Sequence, residues 1–164
     1  VSASFRRAAS KVTTVEALKD VCAQARLEKK TVAFANGCFD LLHVGHTRYL
    51  QGARALGDLL IVGVNSDASV RKLKGANRPL QNEQDRALLV AAQHAVDFVV
   101  IFHEDTVDGL LLSLKPDVHC KGTDYTPETV PEKETVKSYG GRVAIVGDPK
   151  DHNTSTLLAR LQER

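Results

Sequence analysis

Two histidines three positions apart, His43 and His46, flank Val44-Gly45 and follow closely on the run Gly37-Cys38-Phe39-Asp40. Neutral or protonated, each imidazole can donate a hydrogen bond to a phosphoryl oxygen. Gly45 lets a ligand approach the backbone where a β-carbon would obstruct it. A zinc pair or two packed histidines are the plainer alternatives. Zinc needs a third and a fourth ligand, and the others nearby are Cys38 and Asp40, inside a loop already shaped for an anion, so no metal ligands are assigned.

Upstream, Thr31-Val32-Ala33-Phe34-Ala35 is β-branched or aromatic at three of five positions and reads as a buried parallel strand that breaks at Gly37. Downstream, the stretch 47–56 has apolar residues at 49, 50, 53 and 56, the spacing of a helix with one buried face. Such a strand–loop–helix junction leaves the first helical N–H groups without partners and turns the positive end of the helix dipole toward the mouth of the sheet, where a phosphate is the natural ligand. Asn36, Gly37, Cys38, Phe39, Asp40 and Gly45 therefore form the expected anion cradle, with His43 and His46 at its mouth.

The remaining elements supply further polar groups to that mouth. A second strand, 58–65, ends in Asn65-Ser66-Asp67, which serves as a helix cap and, through Asn65, as crevice lining. Arg71, Lys72, Lys74 and Arg78 put four cations in eight residues beside Gly75 and Pro79. This is either a solvated edge or a clamp over phosphates. Asn82 with Asp85 opens a helix that carries Arg86, and 96–101 is a third strand. Glu104-Asp105-Thr106 is expected to cap a helix at 107–114. After a short strand at 117–120, Lys121, Gly122, Asp124 and Tyr125 offer a cation, a close backbone approach, an acceptor and a flat ring, suited to a sugar phosphate or a base; a tight turn needs only the Gly and Asp. A helix at 131–139 and a last strand at 142–146 follow. Thr154, Ser155 and Thr156 then cap a closing helix, and capping hydroxyls with exposed N–H groups make a second phosphate cradle.

At 164 residues, 43% hydrophobic and 26% charged, the chain suits one globular domain, 1–164, with 1–12 as a flexible lead-in and Thr13 with Glu16 as the capping box of a helix at 15–27. A net charge of +2 and the lack of a basic stripe argue against nucleic-acid binding. Three cysteines without a Cys-x-x-Cys pair read as reduced thiols of a cytoplasmic protein. No stretch has the length of a membrane span, no signal peptide is evident, and the start at Val1 rather than Met reads as a processed or trimmed end. Strands and helices alternate throughout, which predicts an α/β fold, a doubly wound sandwich around a parallel sheet of about five strands.

Gly37-Cys38-Phe39-Asp40 with His43-Val44-Gly45-His46 resembles the signature of the cytidylyltransferase-type nucleotidyltransferases, which move a nucleoside monophosphate from a triphosphate to a phosphorylated acceptor. The resemblance implies a Rossmann-like nucleotidyltransferase fold. It also implies that His43 and His46 contact the triphosphate, that Lys74 and Arg78, with Lys72 behind them, clamp it, and that Arg86 points into the active site. The runs 64–70, 74–79 and Lys121-Gly122-Thr123-Asp124-Tyr125 are similar to those of the heptose 1-phosphate adenylyltransferases. That family is often fused to a sugar kinase, no part of which is read in these residues. It makes ADP-heptose for lipopolysaccharide from ATP and a sugar phosphate, with Mg²⁺ carried mainly by the phosphates. Asn65, Asp67, Lys121 and Tyr125 are then the acceptor-binding candidates, and a homo-oligomer, dimer or tetramer, is expected. One departure stands out: similar cytidylyltransferases carry Arg-Thr just ahead of the Ser/Thr-rich run, where this chain has Asp148-Pro149-Lys150-Asp151-His152, with Lys150 or His152 as substitutes. Transfer from CTP to another sugar or polyol phosphate, an aminoacyl-tRNA synthetase fragment, and a nucleotide-sensing module without turnover are the alternatives.

Overall fold

The computed structural model describes residues 7–149 and residue 159. The expected buried strand is β1, Val32–Gly37, and it lies at the centre of a five-stranded sheet. β2 is Leu59–Asn65, β3 Phe98–Phe102, β4 Val118–Lys121 and β5 Arg142–Ile145. Every pairing is parallel and the order is β3-β2-β1-β4-β5. Among the described residues α1, Val15–Leu27, precedes the sheet, and α2 Val44–Arg54, α3 Asp67–Lys74, α4 Glu83–Ala91, α5 Asp108–Leu114 and α6 Lys133–Ser138 lie between its strands.

The period of two along β1 divides the core between the two faces. Ala33 and Ala35 join Leu60, Val62 and Val64 beneath α2 (Leu50, Ala53) and α4 (Ala87, Val90, Ala91). Val32 and Phe34 join Ile61 on the opposite face, beneath α1 (Leu18, Cys22, Ala25), α5 (Leu110, Leu111, Leu114) and α6 (Val136). Burial on both faces explains the near-continuous apolar run of the central strands. The chain lays down β1, β2 and β3 in one direction and then crosses back to set β4 on the other side of β1. Strand order therefore reverses between β1 and β4, the place where open parallel sheets bind ligands beyond their carboxyl ends.

Three expectations need correction. The lead-in is docked from Ala8 onward: a 3-10 turn at Ala8–Lys11 precedes a parallel bridge between Val12 and Val99, and Lys11 Nζ donates to the Val96 carbonyl at 2.8 Å. The cause is topological, because β3 is an edge strand and this segment covers its unpaired backbone. Thr14, not Thr13, caps α1, accepting from the Ala17 amide. Residue Val107 occupies the N-cap position of α5, with no side-chain bond to the helix from it, in place of the expected Glu104–Thr106 cap. Among the described residues no helix is long and apolar enough to cross a membrane.

Candidate functional site

The loop from β1 to α2 is built from an unusual backbone. Phe39 (φ 49°) and Leu41 (φ 63°) are both left-handed without being glycine, which costs of order 1 kcal/mol or more each unless the surroundings compensate. They do so here. The Phe39 ring is buried beneath His46, with centroids 5.3 Å apart, and lies so close to Gly37 that a Cβ there would come within 3.2 Å of it. Asp40, also buried, accepts from the Leu80 amide at 3.0 and 3.1 Å and from the Gln81 amide at 3.2 Å, and pairs with Arg78 at 3.0 Å. Its carboxylate therefore fastens the basic 71–79 loop to the signature loop.

The histidine pair belongs to the helix rather than preceding it. His43 is the N-cap of α2, and its Nδ1 accepts from the Gly45 amide at 3.2 Å. In return His46 Nδ1 accepts from the His43 amide at 3.3 Å. An accepting Nδ1 carries no proton, so in the neutral ring the proton resides on Nε2. The rings overlap at 4.0 Å between centroids, tilted by 32°. Two N–H donors are thus held side by side at the positive end of α2, an arrangement suited to the oxygens of one phosphoryl group.

A cleft of about 870 Å³ opens over the carboxyl ends of β1, β2 and β4. It brings together Asn36, Gly37, Cys38, Phe39, Asp40, His43, Gly45 and His46 with Asn65, Lys74, Arg78, Lys121, Gly122, Asp124 and Tyr125. Burial pushes the Cys38 thiol up, with Lys74, Arg86 and Arg78 pulling the other way, so it sits here as a thiol rather than a thiolate.

Three candidates lie off the lining. Arg86, implied to point into the active site, is fully buried beneath it: Nε donates to the Gln81 carbonyl at 2.9 Å, one terminal nitrogen to the Cys38 carbonyl at 2.5 Å, and the other to Asp67 Oδ1 at 2.7 Å. Asp67 is occupied by that same pairing, and its amide donates to Glu83. Both therefore brace the crevice segments from behind. Lys72 reaches Asp105 at 2.7 Å as a solvent-exposed pair, the kind that contributes little. Thr154, Ser155 and Thr156, together with Lys150 and His152, lie outside the described residues.

Several lining residues had no motif to announce them. Tyr49 donates to the Cys120 carbonyl at 2.8 Å, and burial pushes its phenol up. Arg48 pairs with Asp148 at 3.0 Å while the Asp148 carbonyl accepts from Thr123, so the departing loop after β5 is clasped at the cleft rim. That loop passes at Gly147 (φ 94°), where a Cβ would lie 3.4 Å from the Tyr49 backbone.

A further member is Glu132, just ahead of α6. It is 3.3 Å from Lys121 Nζ and 3.5 Å from His119 Nε2, all three being buried. Burial alone would raise its carboxyl, but His119 and Lys121 outweigh that and bring it down to about 2. Burial holds the His119 ring below its ordinary value, with Glu132 opposing. In both groups the unfolded chain binds protons more readily than the folded one. Stability is therefore expected to decline as pH falls below about 6.5, first through His119, then through Glu132 from about 4.5 toward 2. A thermal midpoint that stays flat from pH 7 to pH 3 would contradict this.

The sequence model of the cytidylyltransferase-like family matches residues 34–161, more than three quarters of the chain. The chain belongs to that family. Among curated relatives of this cytidylyltransferase-like chain are the bifunctional protein HldE of Syntrophotalea carbinolica, 53% identical over 94% of this chain and 32% of its own length, and that of Trichlorobacter lovleyi, 49% identical over 100% and 33%. The chain thus spans about a third of the length of the curated relatives it matches. Of solved structures, a lipopolysaccharide core biosynthesis protein from Thermoplasma volcanium superposes with a TM-score of 0.64 at 27% identity, covering 74% of this chain and 99% of that one. Pantoate–β-alanine ligase from Francisella tularensis, at 14% identity and a TM-score of 0.59 over 88% of this chain and 68% of that one, shares the fold alone. The family match makes the chain a nucleotidyltransferase-type domain.

Proposed function

We propose that the chain transfers AMP from ATP to D-glycero-β-D-manno-heptose 1-phosphate, releasing pyrophosphate and forming ADP-heptose for lipopolysaccharide. The observation that carries the transfer chemistry is the overlapped His43 and His46 pair, whose Nδ1 atoms are spent on the helix cap and whose protons are thereby placed on Nε2. The choice of acceptor is supported by the Lys121-to-Tyr125 run and by the HldE and lipopolysaccharide-core relatives.

The acceptor phosphate is already an anion at neutral pH, so it needs no strong base to activate it. One of its oxygens bonds to the α-phosphorus of ATP as the bond from that phosphorus to the bridging oxygen breaks, and pyrophosphate leaves with the electron pair. Alignment and charge neutralisation are what the protein must add. In this reading His43 and His46 donate to the reacting phosphoryl oxygens and the amides near Gly37 and Cys38 cradle the chain. Lys74 and Arg78 hold the β- and γ-phosphates from the loop that Asp40 fastens down. ATP enters as its magnesium complex, the ion carried by phosphate oxygens and water. Asp40, the carboxylate of the signature loop, is committed to Leu80, Gln81 and Arg78 and is not assigned as a ligand.

The deciding experiment is pyrophosphate release with magnesium and D-glycero-β-D-manno-heptose 1-phosphate, comparing ATP with CTP. Release with ATP alone is expected. CTP preference would move the reading to a cytidylyltransferase, and tight ATP binding without release under any acceptor would make the chain a sensing module.

A further inference from the structure

β4 sends alternate side chains to opposite faces. Val118 and Cys120 enter the core beneath α2, whereas His119 and Lys121 point the other way. On that second face His119 stacks against Phe34 of β1, with centroids 5.8 Å apart, and Lys121 comes up beside Asn36 at 3.5 Å. Glu132 reaches both from the segment preceding α6. Its two carboxylate oxygens each lie 3.3 Å from Lys121 Nζ, and the Tyr125 ring sits 5.1 Å from the same nitrogen. Relative exposure is 0% for His119, 8% for Lys121 and 7% for Glu132.

A buried ion pair is an expensive way to fill space, because well-packed neutral side chains of the same volume are often as stable or more so. Its geometry is also loose: each of these contacts of the ammonium to an oxygen is 3.3 Å or longer, beyond the usual range for a charge-assisted bond. The ammonium is therefore held in place without being saturated, at the β1–β4 reversal where the cleft floor lies. Removing the carboxylate would leave it free to choose another rotamer along its four-carbon stem.

We infer that Glu132 is a positioning residue: its carboxylate, backed by His119, seats the Lys121 ammonium at the β1–β4 switch point so that it meets an anionic oxygen of the phosphorylated acceptor. The inference rests on the adenylyltransferase reading. Lys121 touches the acceptor, and Glu132 acts only through Lys121.

Steady-state kinetics of Lys121→Met, Glu132→Gln and the double variant test this, with thermal midpoints measured in parallel. Glu132→Gln is expected to raise the KM for the sugar phosphate by roughly tenfold, the size of one lost charge-assisted contact, while the KM for ATP stays put. Lys121→Met is expected to raise it at least as much. The double variant should match Lys121→Met rather than the product of the two, since once the ammonium is gone Glu132 has nothing to seat. Its thermal midpoint should also recover relative to Glu132→Gln, because both charges are removed together. A multiplicative double variant, an unchanged acceptor KM in Glu132→Gln, or an equal rise in both KM values overturns the inference. Wild-type protein that releases no pyrophosphate from ATP and the heptose phosphate fails the function reading itself. Turnover by wild type with Glu132→Gln kinetically silent fails the positioning role alone.

Discussion

Replacing His46 by alanine is expected to lower turnover about 100- to 1,000-fold while the protein stays folded, the usual cost of losing one preorganised donor to developing negative charge. The ring has two jobs in this structure, and they can be separated. Nδ1 accepts from the His43 amide and so caps α2; Nε2 is the candidate donor to the phosphoryl oxygen. Loss of a cap costs about 1 kcal/mol, too little to unfold a domain of this size. Asparagine places an acceptor close to where Nδ1 stands and has nothing at the Nε2 position, so His46→Asn should keep the cap and still lose most of the turnover. Glutamine places an amide N–H nearer the Nε2 position, so His46→Gln should lose the cap and retain more activity than either. Pyrophosphate release at saturating substrates gives the ranking, and circular dichroism checks the fold. A folded His46→Ala protein with near-normal turnover, or an asparagine variant better than the glutamine one, would remove His46 from the chemistry.

The strand, the glycine break and the helix around this pair were legible from residue types, because a buried parallel strand and a one-faced helix each leave a period that a short window reveals. The start of α2 was not. Imidazole is not among the usual capping side chains, so the sequence placed the helix from 47, whereas His43 and His46 cap it reciprocally and it begins at Val44. The same limit hid Glu132. A lysine two residues after a histidine on a buried strand demands an opposite charge, but Glu128, Glu132 and Glu134 were equally eligible until the chain ahead of α6 was placed. Exposure was the other unreadable quantity. Lys72 and Lys74 stand two apart in one basic run, yet Lys74 lines the cleft and Lys72 is turned to Asp105. Most residues that the resemblance implies do line the cleft, but Arg86, which it implies points into the active site, is buried beneath that site.

Arg86 is instead where the fold should prove most fragile. Its guanidinium is 0% exposed and donates in three directions: to the Cys38 carbonyl of the signature loop, to the Gln81 carbonyl ahead of α4, and to Asp67 in the first turn of α3. Removing it orphans two carbonyls and leaves the Asp67 carboxylate, whose side chain is 25% exposed, without its cation. Breaking a buried pair from one side costs on the order of 3–5 kcal/mol, so Arg86→Met is expected to lose about that much in urea unfolding, a large share of a typical domain's stability. Lysine should not rescue it. A single ammonium cannot span three acceptors that a planar fork reaches at once, so Arg86→Lys is expected to recover less than half of the loss. The readout also separates the two roles for this side chain. An arginine that contacts phosphate would lose turnover with its unfolding midpoint unchanged; Arg86 is expected to lose the midpoint first, with the remaining folded protein retaining more turnover than His46→Ala. An Arg86→Met protein within about 1 kcal/mol of wild type would contradict the bracing role, since that is the range of substitutions that break no buried network.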